Sequence, residues 1–308
     1  MRYEGDYGFE AFLEQGGAAS DGAVVEYLAD NLLSGLNLGE LLGSIFGCST
    51  IAVQSPQGEA LFGRNFDWGS CEAMVVLSQP EGGYASLSTV NMDFITRNAG
   101  GIVGMALKLD EVKTLAALYV PLDGMNEKGL AVSVNMIQDT ASIDQDTGKP
   151  DLTTTTAIRL LLDQAADVEE ALELLSQYDL HASMGMMVHF ALADASGRSV
   201  AVEYVDQEMV VTETPVLTNF YLAEGEKQGI GTEQSHQRYE ILTERLSQSD
   251  AMTMEEVRDA LDRVSKDNFG DEFESTEWSV VLNLAAGEAR YYHRENYKRA
   301  YVFHIQKQ

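Results

Sequence analysis

The sequence predicts an α+β fold in which antiparallel sheets are layered with helices. Three observations carry this. Strand-like runs come first, a helical block follows, strands return, and a second helical block precedes a closing set of strands. Short turns join neighbouring strand runs, the mark of antiparallel hairpins. No stretch of linker composition divides the chain, so one domain follows a distinct N-terminal segment.

Residues 1–47 differ in texture from the rest, with eight acidic side chains against one basic one, Arg2. Ser20 and Asp21 are suited to cap a helix starting near Gly22, because their side-chain oxygens can accept from free N–H groups of the first turn. Val24, Val25, Leu28 and Leu32 follow helical spacing. Gly35, Gly39 and Gly43 then interrupt a leucine-rich run ending at Gly47. Composition favours a core-packing helical hairpin over a pro-segment or small subunit. Beyond Cys48 the texture turns to strand. Residues 49–54 and 60–66 read as a hairpin across the turn Ser55-Pro56-Gln57-Gly58. Further strands are expected near 73–77, 116–120 and 130–134. A helical block starts at Thr153, and Asp167 with Glu170 suggests a capping box for a second helix through Leu175. Strands return at 186–193, 199–205 and 209–212. Helices follow at 235–246 and 254–264, the second capped by Thr253 with Glu256. Strands near 279–284, 289–293 and 300–305 close the chain.

Composition narrows the function. The chain has 49 acidic and 20 basic side chains, a net charge of −29, a field that repels phosphate backbones and anionic lipid surfaces. Nucleic acid is therefore not an expected partner. Two cysteines are too few for a disulfide framework. The five histidines are scattered without zinc-ligand spacing, so neither metal nor cofactor is expected. No run of 18 apolar residues could span a membrane. The acidic N-terminus does not read as a signal peptide. Localisation stays open: cytoplasmic with Met1 as the native start, exported if a leader has been trimmed.

Cys48 is the first candidate for chemistry, although a lone cysteine is more often just a small buried side chain. It lacks the local signature of a papain-like site. Its own α-amino group, with a reference pKa of about 7.7–8.0, can serve as base, but only after the Gly47–Cys48 bond is cut. Cys48 could make that cut by attacking the Gly47 carbonyl, and glycine there allows close approach. Within Gly63-Arg64-Asn65-Phe66-Asp67-Trp68, Asp67 could hold the new ammonium and Arg64 could lower the thiol pKa. Taken alone, the two read rather as an exposed ion pair at a strand end.

Together with Cys48-Ser49-Thr50-Ile51, that segment resembles the choloylglycine hydrolase family of N-terminal-nucleophile hydrolases, which includes bile salt hydrolases and penicillin V acylases. The acid ceramidase and N-acylethanolamine amidase group looks related. Asp123 to Leu130, Ser133-Val134-Asn135, Leu217-Thr218-Asn219, Ser235 to Tyr239 and Thr276 to Ser279 are similar to further family segments in the same order. The resemblance implies a four-layer αββα sandwich over 48–308, preceded by a helical segment over 1–47. It implies Cys48 as nucleophile, Arg64 and Asp67 orienting it, Asn135 and Asn219 donating to an oxyanion, and Arg238 completing the cluster. Asn126 and Gly129 are expected to form the turn before a strand. The implied activity is hydrolysis of linear amides of fatty-acyl or conjugated bile-acid type through a thioester. Penicillin V acylase-like activity and acyl transfer to an amine are the alternatives, and a binding protein plugged by residues 1–47 is the non-enzymatic one. Bile salt hydrolases expose their cysteine by removing a methionine or short peptide, whereas 47 residues precede Cys48. That is closer to the ceramidase-like group, whose small subunit stays attached. The resemblance also implies a small-molecule amide substrate and a homo-oligomer.

Overall fold

The structure is a computed structural model that describes residues 1–33, 47–69, 71–96, 110–225, 228–269 and 274–306. In chain order these form β1 (Arg2–Glu4), α1 (Phe9–Glu14), α2 (Asp21–Leu33), β2 (Gly47–Gln54), β3 (Ala60–Trp68), β4 (Ala73–Gln79), β5 (Ser86–Asn91), α3 (Met92–Thr96) and α4 (Asp110–Tyr119). Then come β6 (Asp123–Asn126), β7 (Ala131–Met136), β8 (Asp151–Thr153), α5 (Thr154–Gln164), α6 (Val168–Leu175), β9 (Asp179–His181), β10 (Val188–Ala193), β11 (Ser199–Val205) and β12 (Glu208–Glu213). The chain continues through β13 (Val216–Leu217), α7 (Glu233–Ser247), α8 (Met254–Arg263), β14 (Ser275–Asn283), β15 (Glu288–His293) and β16 (Tyr301–His304).

Two sheets face each other. One has eight strands in the order β1-β4-β5-β6-β7-β10-β11-β12, the other six in the order β13-β2-β3-β14-β15-β16. Alternation along the strands decides what each face buries. In the six-stranded sheet, Phe62, Phe66, Trp278, Val280 and Leu282 pack toward the eight-stranded sheet. Ile51, Leu61 and Val281 instead join Leu242, Val257 and Leu261 of α7 and α8. On the far side, α5 covers β6 and β7. The result is the expected four-layer αββα sandwich.

Local chemistry explains the ends of these elements. Ser55 Oγ accepts from the N–H of Gln57 and Glu59, closing the β2–β3 turn where expected. Thr253 and Glu256 form a reciprocal capping box on α8. Asp167 caps α6 by accepting from Glu170 N–H, but Glu170 accepts from Ala166 rather than from the cap residue. Asn126 Oδ1 accepts from Lys128 and Leu130, and Gly129 takes φ +92°, so both residues make the predicted turn.

Residues 116–120 correct the sequence expectation, since most of this run lies in helix α4 and not in a strand. A five-residue apolar run does not distinguish the two states, and the preceding Asp110–Thr114 extends it to helical length. The N-terminal segment is helical over α1 and α2, but it opens with β1, which pairs in parallel with β4 as an edge strand. Its anchors are specific. Tyr7 donates to Asp163, which also pairs with Arg159, and Asp21 accepts from Met184 N–H at 2.7 Å. The leucine-rich run to Phe46 lies outside the described residues.

His181 on β9 faces two carboxylates, Asp144 at 2.8 Å and Asp151 at 2.9 Å. Burial opposes its charged form, but the hydrogen bonds to Asp151 and Asp144 outweigh it and raise its pKa above the ordinary 6.5. A raised folded-state pKa stabilises the fold below about 6.5, and that stabilisation is lost as pH rises through the folded value. Urea midpoints for wild type and His181→Gln should therefore lie furthest apart near pH 6 and converge in alkaline buffer. A constant separation across that range would contradict the assignment.

Candidate active site

Cys48 sits at the start of β2, opposite Phe66, with Gly47 opposite Asp67 and Thr50 opposite Arg64. The hairpin register therefore delivers the cysteine, the arginine and the aspartate to one strand end. All three are buried, Cys48 at 2% exposure and Arg64 and Asp67 at 0%. They do not form the exposed ion pair that the segment alone suggests.

Arg64 lies between the sheets. It donates to the carbonyls of Leu122 at 2.8 Å and Val134 at 2.7 Å, pairs with Asp123, and reaches Cys48 Sγ at 3.6 Å. Its guanidinium also stands 5.3 Å from the Phe66 ring centroid. Asp123 is held in turn by Trp278 Nε1 at 3.1 Å. Asp67 faces the helical side, accepting from Thr276 Oγ1 at 2.7 Å and from Arg238 at 3.2 Å. A β-bulge between Thr276 and Trp278 makes both contacts possible. The extra residue sets Thr276 against Asp67 and Trp278 against Phe66, so the two side chains serve opposite faces of the sheet.

Arg238 projects from α7 and binds three groups at once: the Cys48 carbonyl at 2.8 Å, Asn219 Oδ1 at 2.6 Å and Asp67. Asn219 Oδ1 also accepts from Cys48 N–H at 3.0 Å, while its Nδ2 donates to Met136 O at 2.8 Å. Asn135, on β7, donates to Leu217 O and Thr218 O at 3.4 and 3.3 Å. All six candidate residues thus belong to one connected cluster, in which Asn135 joins through the Leu217–Asn219 backbone.

Burial pushes the Cys48 thiol pKa up. Arg64 and Arg238 oppose the rise and Asp67 adds to it. The expected lowering by Arg64 is present but outweighed, because desolvation of a thiolate costs more than the arginines return. With Gly47 and Cys48 joined, the thiol keeps its proton and needs a base.

Lys266 carried no sequence signal, yet its Nζ lies 3.9 Å from Asp67 and pairs with Glu274. A Cβ on Gly47 would collide with Lys266 Nζ and lie 2.9 Å from Asp67 Oδ2. A side chain before Cys48 would have to displace the Lys266 ammonium and would crowd Asp67. Asp123 and Thr276 fell within motifs, but their contacts needed the folded sheet. Among the described residues no cluster of His, Cys, Asp and Glu could hold a metal ion, and no helix is long and apolar enough to cross a membrane.

The model of the family described as linear amide C–N hydrolases, choloylglycine hydrolase family, matches residues 48–221. Among solved structures, a mutant conjugated bile acid hydrolase from Clostridium perfringens is similar with a TM-score of 0.62 and 20% identity, covering 83% of this chain and 92% of that one. Penicillin V acylase from Agrobacterium tumefaciens is similar with a TM-score of 0.57 and 18% identity, covering 83% and 85%. No curated protein sequence matches.

Proposed function

The chain belongs to the choloylglycine hydrolase family of linear amide C–N hydrolases, and from that premise we propose that Cys48 is its nucleophile, freed by cleavage of the Gly47–Cys48 bond. The observation that carries this reading is the grip on Cys48 itself: N–H on Asn219, carbonyl on Arg238 and Sγ beside Arg64. An ordinary core cysteine has no use for such a set.

In the cleavage step Sγ attacks the Gly47 carbonyl carbon, the thiol proton passes to the Cys48 nitrogen as the C–N bond breaks, and water hydrolyses the resulting thioester to the Gly47 carboxylate and the free thiol. This divides the chain into 1–47 and 48–308. In turnover the new α-amine takes the thiol proton and Sγ attacks the substrate amide. The oxyanion takes hydrogen bonds from Asn219, whose Nδ2 keeps a second hydrogen beside the one on Met136 O, and from Asn135, whose Nδ2 gives up one of its two long bonds to Leu217 O and Thr218 O. The ammonium then protonates the leaving amine, and water releases the acid. Asn219 Oδ1 keeps its hold on the Cys48 nitrogen throughout, so the base stays oriented.

The two structural neighbours act on a conjugated bile acid and on penicillin V, so the proposed substrate is a linear N-acyl amide with a bulky apolar acyl group. A panel of glycocholate, phenoxymethylpenicillin and N-lauroylethanolamine tests this. Hydrolysis of at least one, with the free acid and amine as products, is expected. Transfer of the acyl group to added glycine or ethanolamine in preference to water would assign a transferase instead.

The close packing at Gly47 gives a separate expected result. Gly47→Val should slow self-cleavage strongly, because its side chain meets Lys266 and Asp67. Intact mass against time after refolding would show it, and cleavage at the wild-type rate would remove Lys266 from the junction.

A further inference from the structure

His189 and Glu203 are both 0% exposed, and neither takes part in the cleavage or turnover steps. His189 lies on β10 directly across from Asn135 on β7. Its Nδ1 faces Glu203 Oε1 at 3.0 Å and its Nε2 faces Thr218 O at 3.0 Å. Thr218 O is the same carbonyl that accepts from Asn135. Glu203, on β11, accepts from Leu222 N–H at 2.9 Å and from Ala223 N–H at 2.6 Å. The pair therefore grips the segment 218–223 on both sides of Asn219: His189 on Thr218, Glu203 on Leu222 and Ala223.

We propose that His189 and Glu203 are a positioning pair that sets Asn219 against Cys48, acting through the backbone of residues 218–223. The proposal rests on the role given to Asn219 above. Both ring nitrogens of His189 lie at hydrogen-bond distance from an oxygen, so the ring is tied at both ends. Burial acts to raise the Glu203 carboxyl, but its hydrogen bond and charge interaction with His189, and the two backbone N–H groups, hold it below the usual range. A buried, hydrogen-bonded pair of this kind gives a loop one rigid arrangement, because losing either partner leaves buried polar groups unsatisfied. A fixed arrangement matters here, since Asn219 Oδ1 must meet both Cys48 N–H and Arg238.

The test is a double-mutant cycle on the cleaved enzyme, using whichever of glycocholate, phenoxymethylpenicillin or N-lauroylethanolamine is turned over. His189→Gln keeps a donor toward Thr218 and loses the one toward Glu203. Glu203→Gln sets an amide N–H₂ against donors. Each should lower kcat by about 10²-fold, the scale of a small misplacement at a reacting centre, with KM little changed. Asn219→Ala alone should cost about 10²–10³-fold. In the Asn219→Ala background, His189→Gln should cost only about twofold more, as expected of residues in one network. Equal losses from His189→Gln in both backgrounds, or no loss in kcat, would overturn the proposal and leave Asn219 in its role. Full turnover by Asn219→Ala would sink the role of Asn219 and the proposal with it. Should neither glutamine variant fold, the pair is a folding determinant and the positioning role falls.

Discussion

Cys48→Ala is expected to leave the chain as a single uncut species with turnover reduced by roughly a million-fold, the scale of removing a covalent nucleophile. Intact mass under denaturing, reducing conditions reads the first effect, and the amide panel reads the second. Wild type should show fragments 1–47 and 48–308. Both losses follow from one atom in the proposed mechanism, where Sγ attacks Gly47 in the first reaction and substrate in the second. A Cys48→Ala chain that is still cut, or still active, would remove the mechanism and leave the fold untouched. Under native conditions the two wild-type fragments should co-elute. Strand β1 completes an edge of the eight-stranded sheet, and the Tyr7–Asp163 and Asp21–Met184 contacts lie well before the cut. Elution of 48–308 alone would show that these anchors are too weak to hold the segment.

The second large effect is expected at Arg64. Replacing it with methionine leaves Asp123 buried without its main partner, and breaking a buried pair in this way typically costs about 3–5 kcal/mol. A drop of that size in unfolding free energy from urea titration is the expected result. The same change removes the positive charge that opposes the burial-driven rise of the Cys48 thiol. Alkylation of Cys48 by iodoacetamide should therefore slow at fixed pH. Arg64→Lys separates the two effects. A lysine keeps the charge but is a point donor without the planar fork that reaches Leu122, Val134 and Asp123 together. It should recover part of the stability and little of the turnover. Unchanged alkylation in Arg64→Met would mean that the arginine is structural only.

Much of the site was legible because its parts are local in sequence. The turn Ser55–Gly58 carries its own chemistry, and a hairpin of that length brings Cys48, Arg64 and Asp67 to one strand end. The Asn126–Gly129 turn and the Thr253 cap were readable for the same reason, since their partners lie within four residues. Other features depended on partners far away. Asp67 meets Thr276 only because β14 bulges by one residue, and nothing in Thr276-Glu277-Trp278 announces a bulge. Lys266 reaches Asp67 from a stretch without a motif, and His189 looked like one of five scattered histidines.

By itself, then, the sequence determined the α+β class, the hairpin that bears Cys48 and the order of the polar motifs. These follow from periodicity, turn chemistry and composition, which act over a few residues or over the whole chain at once. Tertiary structure alone decided that residues 116–120 lie mostly in a helix, that the N-terminus contributes an edge strand, and that burial outweighs two arginines at the Cys48 thiol. Each of those outcomes depends on what packs against the residue, and desolvation, strand pairing and long-range ion pairs exist only once distant segments have met.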